Sequence, residues 1–292
     1  MLGVIAAVPT PVDQDGLPLK DPFIAHCKWA LENGCDGLNI LGSTGEANSF
    51  GTATRKLVME WASQNLDRAK LMVGTGTPSL SETLALTSYA DDLGYRVALV
   101  LPPYYYKPLS EDGLFSWYAS LHQGLGDRQI AVYFYNFPQM TGLTIPISVI
   151  ERLHSEWPDR FRGIKDSSGD LDYCRQLAST LPDLAVFPSS EVSLGEAAQS
   201  GFAGCISATV NQTAPLCAEV WSGNEVGGED LLEEISEIRA AISSTSLIPA
   251  IKYLVGQRTG EALWEQLVPP FCELTEQHKN TLAPIVRKLA TI

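Results

Sequence analysis

Lys165 closes a short apolar run, Phe161-Arg-Gly-Ile-Lys165, and the turn-forming Asp166-Ser-Ser-Gly169 follows at once. A lysine held dry at a strand end can form an imine with a carbonyl substrate. On a surface the same side chain is only a solvated charge, the ordinary state of the 20 Lys and Arg in this chain. Its company favours chemistry. Tyr135 ends another strand-like run, Ile130-Ala-Val-Tyr-Phe-Tyr135, and Ser43 and Thr44 occupy the glycine turn Gly42-Ser-Thr-Gly-Glu46 after a third. A phenol held in a hydrogen-bonded chain can relay a proton. Two hydroxyls beside the amides of a glycine turn suit a carboxylate, which accepts from both kinds of donor. Each feature also has a plainer reading: a turn capping the next helix, or a tyrosine that only packs. The run Tyr104-Tyr-Tyr106 fits packing or an interface better than catalysis.

Energetics sharpen the choice of lysine. In water a lysine amine titrates near ~10.4, so only about one in a few thousand is nucleophilic at pH 7. Lowering that value by roughly three units requires about 4 kcal/mol of preference for the neutral form. A dry interior supplies this by desolvation, whereas a surface cannot. The strand context of Lys165 fits. Lys252, in the helix-like Ile248-Pro-Ala-Ile-Lys252, reads as structural.

Eight apolar, β-branched runs could position these groups: Val4–Val8, Gly37–Leu41, Leu71–Val73, Val97–Leu101, Ile130–Tyr135, Phe161–Lys165, Leu184–Phe187 and Gly204–Ser207. They recur at roughly the length of one βαβ unit, about 30 residues. Helical patterns lie between them, as in Phe23, Cys27, Ala30 and Leu31, or Leu114, Trp117, Tyr118 and Leu121. Gly34, Gly94 and Gly201 stand where such helices should stop. Eight alternations predict a (β/α)8 barrel, with function at the C-terminal ends of its strands. An open doubly wound sheet lacks its signature, because Gly74-Thr-Gly76 continues Thr-Pro-Ser and no GxxxxGK[ST] occurs. From about Asn211 the pattern turns helical: Ala214–Trp221, Asp230–Ser243, Ile248–Val255 and Leu263–Leu289, broken at Pro269-Pro270. This predicts a catalytic barrel over residues 1–210 and a helical extension over 211–292, with no linker between them.

Composition excludes other classes. The 292 residues are 45% hydrophobic and 18% charged, an ordinary globular balance. A net charge of −14 argues against nucleic acid and against an anionic membrane surface. No apolar stretch is long enough to span a bilayer. Met1–Val8 has no basic leader and reads as a first strand. Six cysteines without a CxxC pair are expected to be reduced thiols of a cytoplasmic protein. Four scattered histidines without HxH or HExxH give no metal site.

Along essentially its whole length the chain resembles the N-acetylneuraminate lyase and dihydrodipicolinate synthase family of class I, pyruvate-dependent aldolases. Gly42-Ser-Thr-Gly-Glu46 is similar to the family's G-[ST]-T-G-E, Tyr135-Asn-Phe-Pro138 to its Y-N-x-P, and Gly163-Ile-Lys165 to its G-[IV]-K. Pro103-Tyr-Tyr105 is similar to its P-[YF]-Y, and Gly204-Cys-Ile-Ser207 to the segment that lines the pyruvate pocket. The resemblance implies that Lys165 forms the Schiff base and Tyr135 is the general acid/base. It implies that Ser43 and Thr44 hold the pyruvate carboxylate, and that Ile206 and Ser207 line the pocket. Thr44 and Tyr105, the latter from a neighbouring subunit, complete a proton relay. It further implies a homodimer or homotetramer with no metal or organic cofactor. In dihydrodipicolinate synthases an arginine stands five residues after the strand-five tyrosine and holds the aldehyde's carboxylate. Met140 stands there in this chain, and a thioether cannot make that ion pair. Tyr135-Asn-Phe-Pro-Gln-Met-Thr-Gly142 is similar instead to members acting on 2-keto-3-deoxy sugar acids, with Ser189 and Ser207 available for sugar hydroxyls. The expected reaction is reversible cleavage of such an acid, for example 2-keto-3-deoxygluconate, to pyruvate and an aldehyde. The alternatives are a synthase-like condensation of pyruvate with an aldehyde, N-acetylneuraminate lyase, a keto-acid dehydratase and, last, a non-enzymatic keto-acid binder.

Overall fold

The computed structural model describes residues 1–223 and 228–289. Eight parallel strands carry the catalytic face: β1 (Gly3–Ala7), β2 (Gly37–Ile40), β3 (Leu71–Gly74), β4 (Val97–Val100), β5 (Ala131–Asn136), β6 (Phe161–Asp166), β7 (Ala185–Pro188) and β8 (Gly204–Ser207). The intervening helices are α1 (Lys20–Glu32), α2 (Thr52–Asn65), α3 (Leu80–Asp92), α4 (Glu111–Leu125), α5 (Pro138–Thr141), α6 (Ile147–Glu156), α7 (Leu171–Thr180) and α8 (Ala197–Ser200). Hydrogen-bonded pairing runs β7-β6-β5-β4-β3-β2-β1-β8. The remaining gap is bridged where the Ala203 amide donates to the Val186 carbonyl at 2.8 Å. The result is the expected (β/α)8 barrel.

The strands read as unbroken apolar runs because both their faces are buried. Alternate residues of one strand serve different cores. Val132 and Phe134 face the helices, while Tyr133 and Tyr135 face the barrel interior with Phe187 and Ile206. The helices present matching stripes. On α4 the buried Leu114, Tyr118, Leu121 and Leu125 recur at helical spacing. Side-chain caps start three helices: Ser79, Ser110 and Asp170 accept from the amides of Glu82, Gly113 and Tyr173. Gly34, Gly94 and Gly201 all adopt positive φ where a helix ends.

Four helices follow the barrel: α9 (Val210–Trp221), α10 (Gly228–Ser243), α11 (Leu247–Thr259) and α12 (Glu276–Leu289). Ile238, Ile242, Ile251, Leu254 and Leu282 form a small core among them. Helix α9 begins four residues before the sequence pattern predicts, because its polar start is used for packing: Asn211 Nδ2 donates to the Ala7 carbonyl at 2.8 Å. The expected helix over 263–289 is corrected more substantially. A 3-10 turn, Ala262–Glu265, buries Trp264, and helix resumes only at Glu276. Pro269 and Pro270 lack the amide donors that a continuous helix needs. Residues 224–227 and 290–292, assigned by pattern to the extension, lie outside the described residues. Among the described residues no helix is long and apolar enough to cross a membrane. All six cysteines are free, and only Cys272 is exposed.

Candidate active site

Strand register brings the two central residues together. Tyr135 of β5 pairs with Lys165 of β6, and Tyr133 with Gly163. Side chains two apart share a face, so Gly163 lies beneath Lys165 on the inner wall. A Cβ at Gly163 would meet the Tyr133 ring at 2.7 Å. Glycine therefore admits that ring as a floor under the lysine. Lys165 is only 4% exposed and Tyr135 3%. Lys165 Nζ lies 3.4 Å from the Tyr135 hydroxyl and 4.5 Å from the centre of its ring. Phe137 stacks on the other side of Tyr135 at 5.6 Å between centroids.

Behind this pair the strand ends are pinned by polar contacts. Asn136 Nδ2 donates to Asp166 Oδ2 at 2.6 Å, and the Ile145 amide donates to Asn136 Oδ1 at 3.0 Å. Asp166 Oδ1 accepts from the Ser168 amide and hydroxyl. Burial holds the Asp166 carboxyl above the usual carboxylate range, against the pull of its hydrogen bonds to Ser168 and Asn136.

The glycine turn after β2 supplies the third element. Its residues Leu41 and Glu46 both adopt left-handed φ, 53° and 54°. The turn fits tightly against β3, where a Cβ at Gly74 would lie 2.1 Å from the Leu41 carbonyl oxygen. Its Gly45 carbonyl accepts from Thr10 Oγ1 at 2.9 Å. Ser43 Oγ then sits 3.3 Å from the Tyr135 hydroxyl. Thr44 is buried beside it, and its hydroxyl meets no hydrogen-bond partner among the described residues. The phenol thus contacts Ser43 directly, where the sequence motif points to Thr44. Tyr105 is 74% exposed and edge-on to Tyr106, outside this hydrogen-bonded cluster.

Sequence motifs gave no warning of what holds the turn from below. Glu46 forms a fully buried ion pair with Lys252 of α11, Oε2 to Nζ 2.7 Å. Its other oxygen accepts from the Val268 amide at 3.2 Å. Lys252 is structural, as expected, but its partner lies 206 residues away. Burial lowers the Lys252 ammonium below the usual lysine range, and Glu46 opposes that shift.

Two cavities flank the cluster at the C-terminal face. One, of about 290 Å³, includes Ser43, Tyr104, Met140 and Phe271 in its lining, and its wall is mostly apolar. Met140 is 71% exposed there. The other, of about 570 Å³, begins at Asp166, immediately after Lys165, and includes Ser189 and Arg239. Ile206 packs inside the barrel, but the neighbouring Ser207 points the other way, donating to Glu191 Oε2 at 2.7 Å. Arg239 of α10 completes this second network, with Nη1 within 2.8 Å of Glu191 Oε2, 3.1 Å of Ser207 and 2.9 Å of Thr209. Neither Glu191 nor Arg239 stands out in the sequence as a site residue, because 48 residues separate them.

A buried amine touching a phenol, which touches a hydroxyl-bearing turn, can form an imine and move a proton beside it. Known proteins with this architecture were compared at this point. The Dihydrodipicolinate synthetase family model matches residues 1–289. An uncharacterized DapA-like lyase of Chloroflexus aurantiacus is 30% identical over 253 residues, covering 86% of this chain and 84% of that protein. The 4-hydroxy-tetrahydrodipicolinate synthase of Thermus thermophilus is 29% identical over 288 residues, covering 96% and 95%. The crystal structure of dihydrodipicolinate synthase from Agrobacterium tumefaciens superposes with a TM-score of 0.90 at 27% identity, covering 99% of both chains. Matched from end to end in sequence and in fold, the chain belongs to the dihydrodipicolinate synthetase family and is a carbon–carbon lyase of the pyruvate-dependent, class I aldolase type.

Proposed function

We propose that the protein reversibly cleaves a 2-keto-3-deoxy sugar acid to pyruvate and an aldehyde, with Lys165 as the imine-forming residue. The observation that carries this reading is the lysine amine, buried at a barrel strand end and 3.4 Å from the Tyr135 hydroxyl. The Lys165 amine adds to the C2 carbonyl and water leaves, giving a protonated imine. Tyr135, as phenolate, takes the proton from the C4 hydroxyl, and the C3–C4 bond breaks with its electron pair drawn toward the iminium. The aldehyde departs, the enamine takes a proton at C3, and water releases pyruvate. Ser43, Thr44 and the amides of their turn hold the C1 carboxylate. Ser43 also orients the phenol, at 3.3 Å. Tyr105, projecting from the surface, would reach the site of a second subunit in a homodimer or homotetramer, and the enzyme would act in the cytoplasm. No cofactor is required, since the iminium is the electron sink.

The curated relatives include 4-hydroxy-tetrahydrodipicolinate synthases, which favours a condensing synthase as the second reading. The uncharged Met140, at the position where the family's synthases carry arginine, argues for the sugar acid. Borohydride reduction in the presence of pyruvate, followed by peptide mapping, should yield one pyruvyl adduct on Lys165. An adduct on Lys252, or none in active enzyme, refutes the mechanism. Pyruvate release from a panel of keto acids then identifies the substrate. Release of water with retention of the carbon skeleton would indicate a dehydratase.

A further inference from the structure

We propose that the cavity beside β6 and β7 receives the far end of the keto acid, and that Arg239 binds an anionic group there. This rests on the lyase reading and narrows its substrate to an acid that carries a second anion remote from the keto group.

Position supports the assignment. The cavity wall starts at Asp166 and takes in Pro188 and Ser189, whose strands carry Lys165 and its register partner Phe187. A chain anchored through C2 to Lys165 therefore has two directions open to it. Toward β4 and β5 it meets the smaller, mostly apolar cavity around Tyr104 and Met140. Toward β6 and β7 it meets hydroxyls and a guanidinium. A polyhydroxylated tail loses fewer hydrogen bonds on the second route.

The donors on this wall are free while the acceptors are engaged. Arg239 uses only Nη1 for Glu191, Ser207 and Thr209. Its Nε and Nη2 have no protein partner among the described residues and are not sealed from solvent. The hydroxyls of Ser167, Ser189, Ser190, Ser236 and Ser243 also lack a protein partner among the described residues. The three carboxylates nearby are already satisfied. Asp166 accepts from Asn136 and Ser168, Glu196 from Arg175 and Ser200, and Glu191 from Ser207, Thr213 and Arg239. Free carboxylates would suit a neutral polyol. An unpaired guanidinium edge among hydroxyls suits a carboxylate or a phosphate, which takes two parallel N–H bonds from one arginine. Glu191, fully buried behind Arg239, fixes the guanidinium so that its free edge meets the cavity.

The test is condensation of pyruvate with three aldehydes that differ only at the far end: glyceraldehyde, tartronate semialdehyde and glyceraldehyde 3-phosphate. Wild type should prefer one of the two anionic aldehydes by about tenfold or more in kcat/KM, the scale of a charge-assisted hydrogen-bond pair. The better of the two identifies carboxylate or phosphate. Arg239→Lys keeps a cation against Glu191 but loses the planar second edge, and should reduce that preference about tenfold, chiefly through KM. Parity in wild type, a preference for glyceraldehyde, or an unchanged ratio in the lysine variant overturns the proposal. Pyruvate trapping on Lys165 is measured alongside, so failure of the lyase reading registers separately. In that case calorimetric titration with tartronate and with inorganic phosphate decides the subsite. Binding weakened by Arg239→Lys upholds it, and no binding, or binding indifferent to the substitution, overturns it.

Discussion

Replacing Lys252 with methionine should unfold the protein far more readily than its distance from the reacting lysine suggests. The side chain keeps its length and loses its charge, leaving the Glu46 carboxylate buried with only the Val268 amide as donor. At 2.7 Å and an effective dielectric of about 20, the attraction between the two ions is about 6 kcal/mol. Most of it offsets the desolvation of two fully buried charges, so the intact pair adds little net stability. Removing one partner is different, because the remaining ion keeps its desolvation cost and loses its compensation. The expected loss is about 3–5 kcal/mol, a large share of a typical total of roughly 5–15 kcal/mol. Urea unfolding should show a lower midpoint with an unchanged slope. The double variant Glu46→Gln/Lys252→Met should recover most of the loss, since the glutamine carbonyl still accepts from Val268 and no charge is buried. A single-variant loss below about 1 kcal/mol, or a double variant as unstable as the sum of the two singles, would refute the argument.

Tyr135→Phe should lower kcat by about 10²–10⁴-fold, the usual range for a lost general acid/base, and a value within about twofold of wild type would reduce the tyrosine to packing. His26 makes the fold acid-sensitive. Burial, reinforced by Arg258, lowers its imidazole to about 3, and Arg258 Nη2 donates to Nδ1 while Nε2 donates to Asn211 Oδ1. Its folded value lies below the unfolded one near ~6.5, so its contribution is complete above that pH and is lost as pH falls toward 3, at roughly 1–1.5 kcal/mol per pH unit. His26→Gln should flatten that part of a stability–pH profile, and an unaltered slope would dismiss the account. Wild type should condense glyceraldehyde with pyruvate faster than aspartate semialdehyde, and Met140→Arg should narrow the difference by about one order of magnitude. A tenfold or greater preference for aspartate semialdehyde in competition assays would favour a synthase.

Local patterns made the barrel readable. Each strand is an apolar run ended by a turn, and residues such as Gly34 and Gly201 mark helix ends through conformations that other residues avoid. Lys165 and Tyr135 were readable for the same reason, since strand ends in a barrel converge on one face. Their mutual register, and the use of Gly163 as space for the Tyr133 ring, follow from pairing across the sheet and leave no mark in either segment alone. Glu191 and Arg239 are ordinary charges in sequence, and only the packing of α10 against the barrel joins them. The stretch after Leu263 misled because its apolar residues mimic a helical stripe. Trp264 anchors a tight turn instead, and the paired prolines stop the helical ladder.

The pairing of Glu46 with Lys252 also orders events during synthesis. At about 5–20 residues per second, a ribosome needs tens of seconds to add the 206 residues that separate them. Until then the carboxylate has no counter-ion, and its burial would be costly. The substrate turn of a nascent chain should therefore stay hydrated and open while the strands beside it assemble. Competence to capture pyruvate would arrive late and abruptly, with the emergence of α11. A chain cut short before α11 could hold a nearly complete barrel and still lack a working mouth.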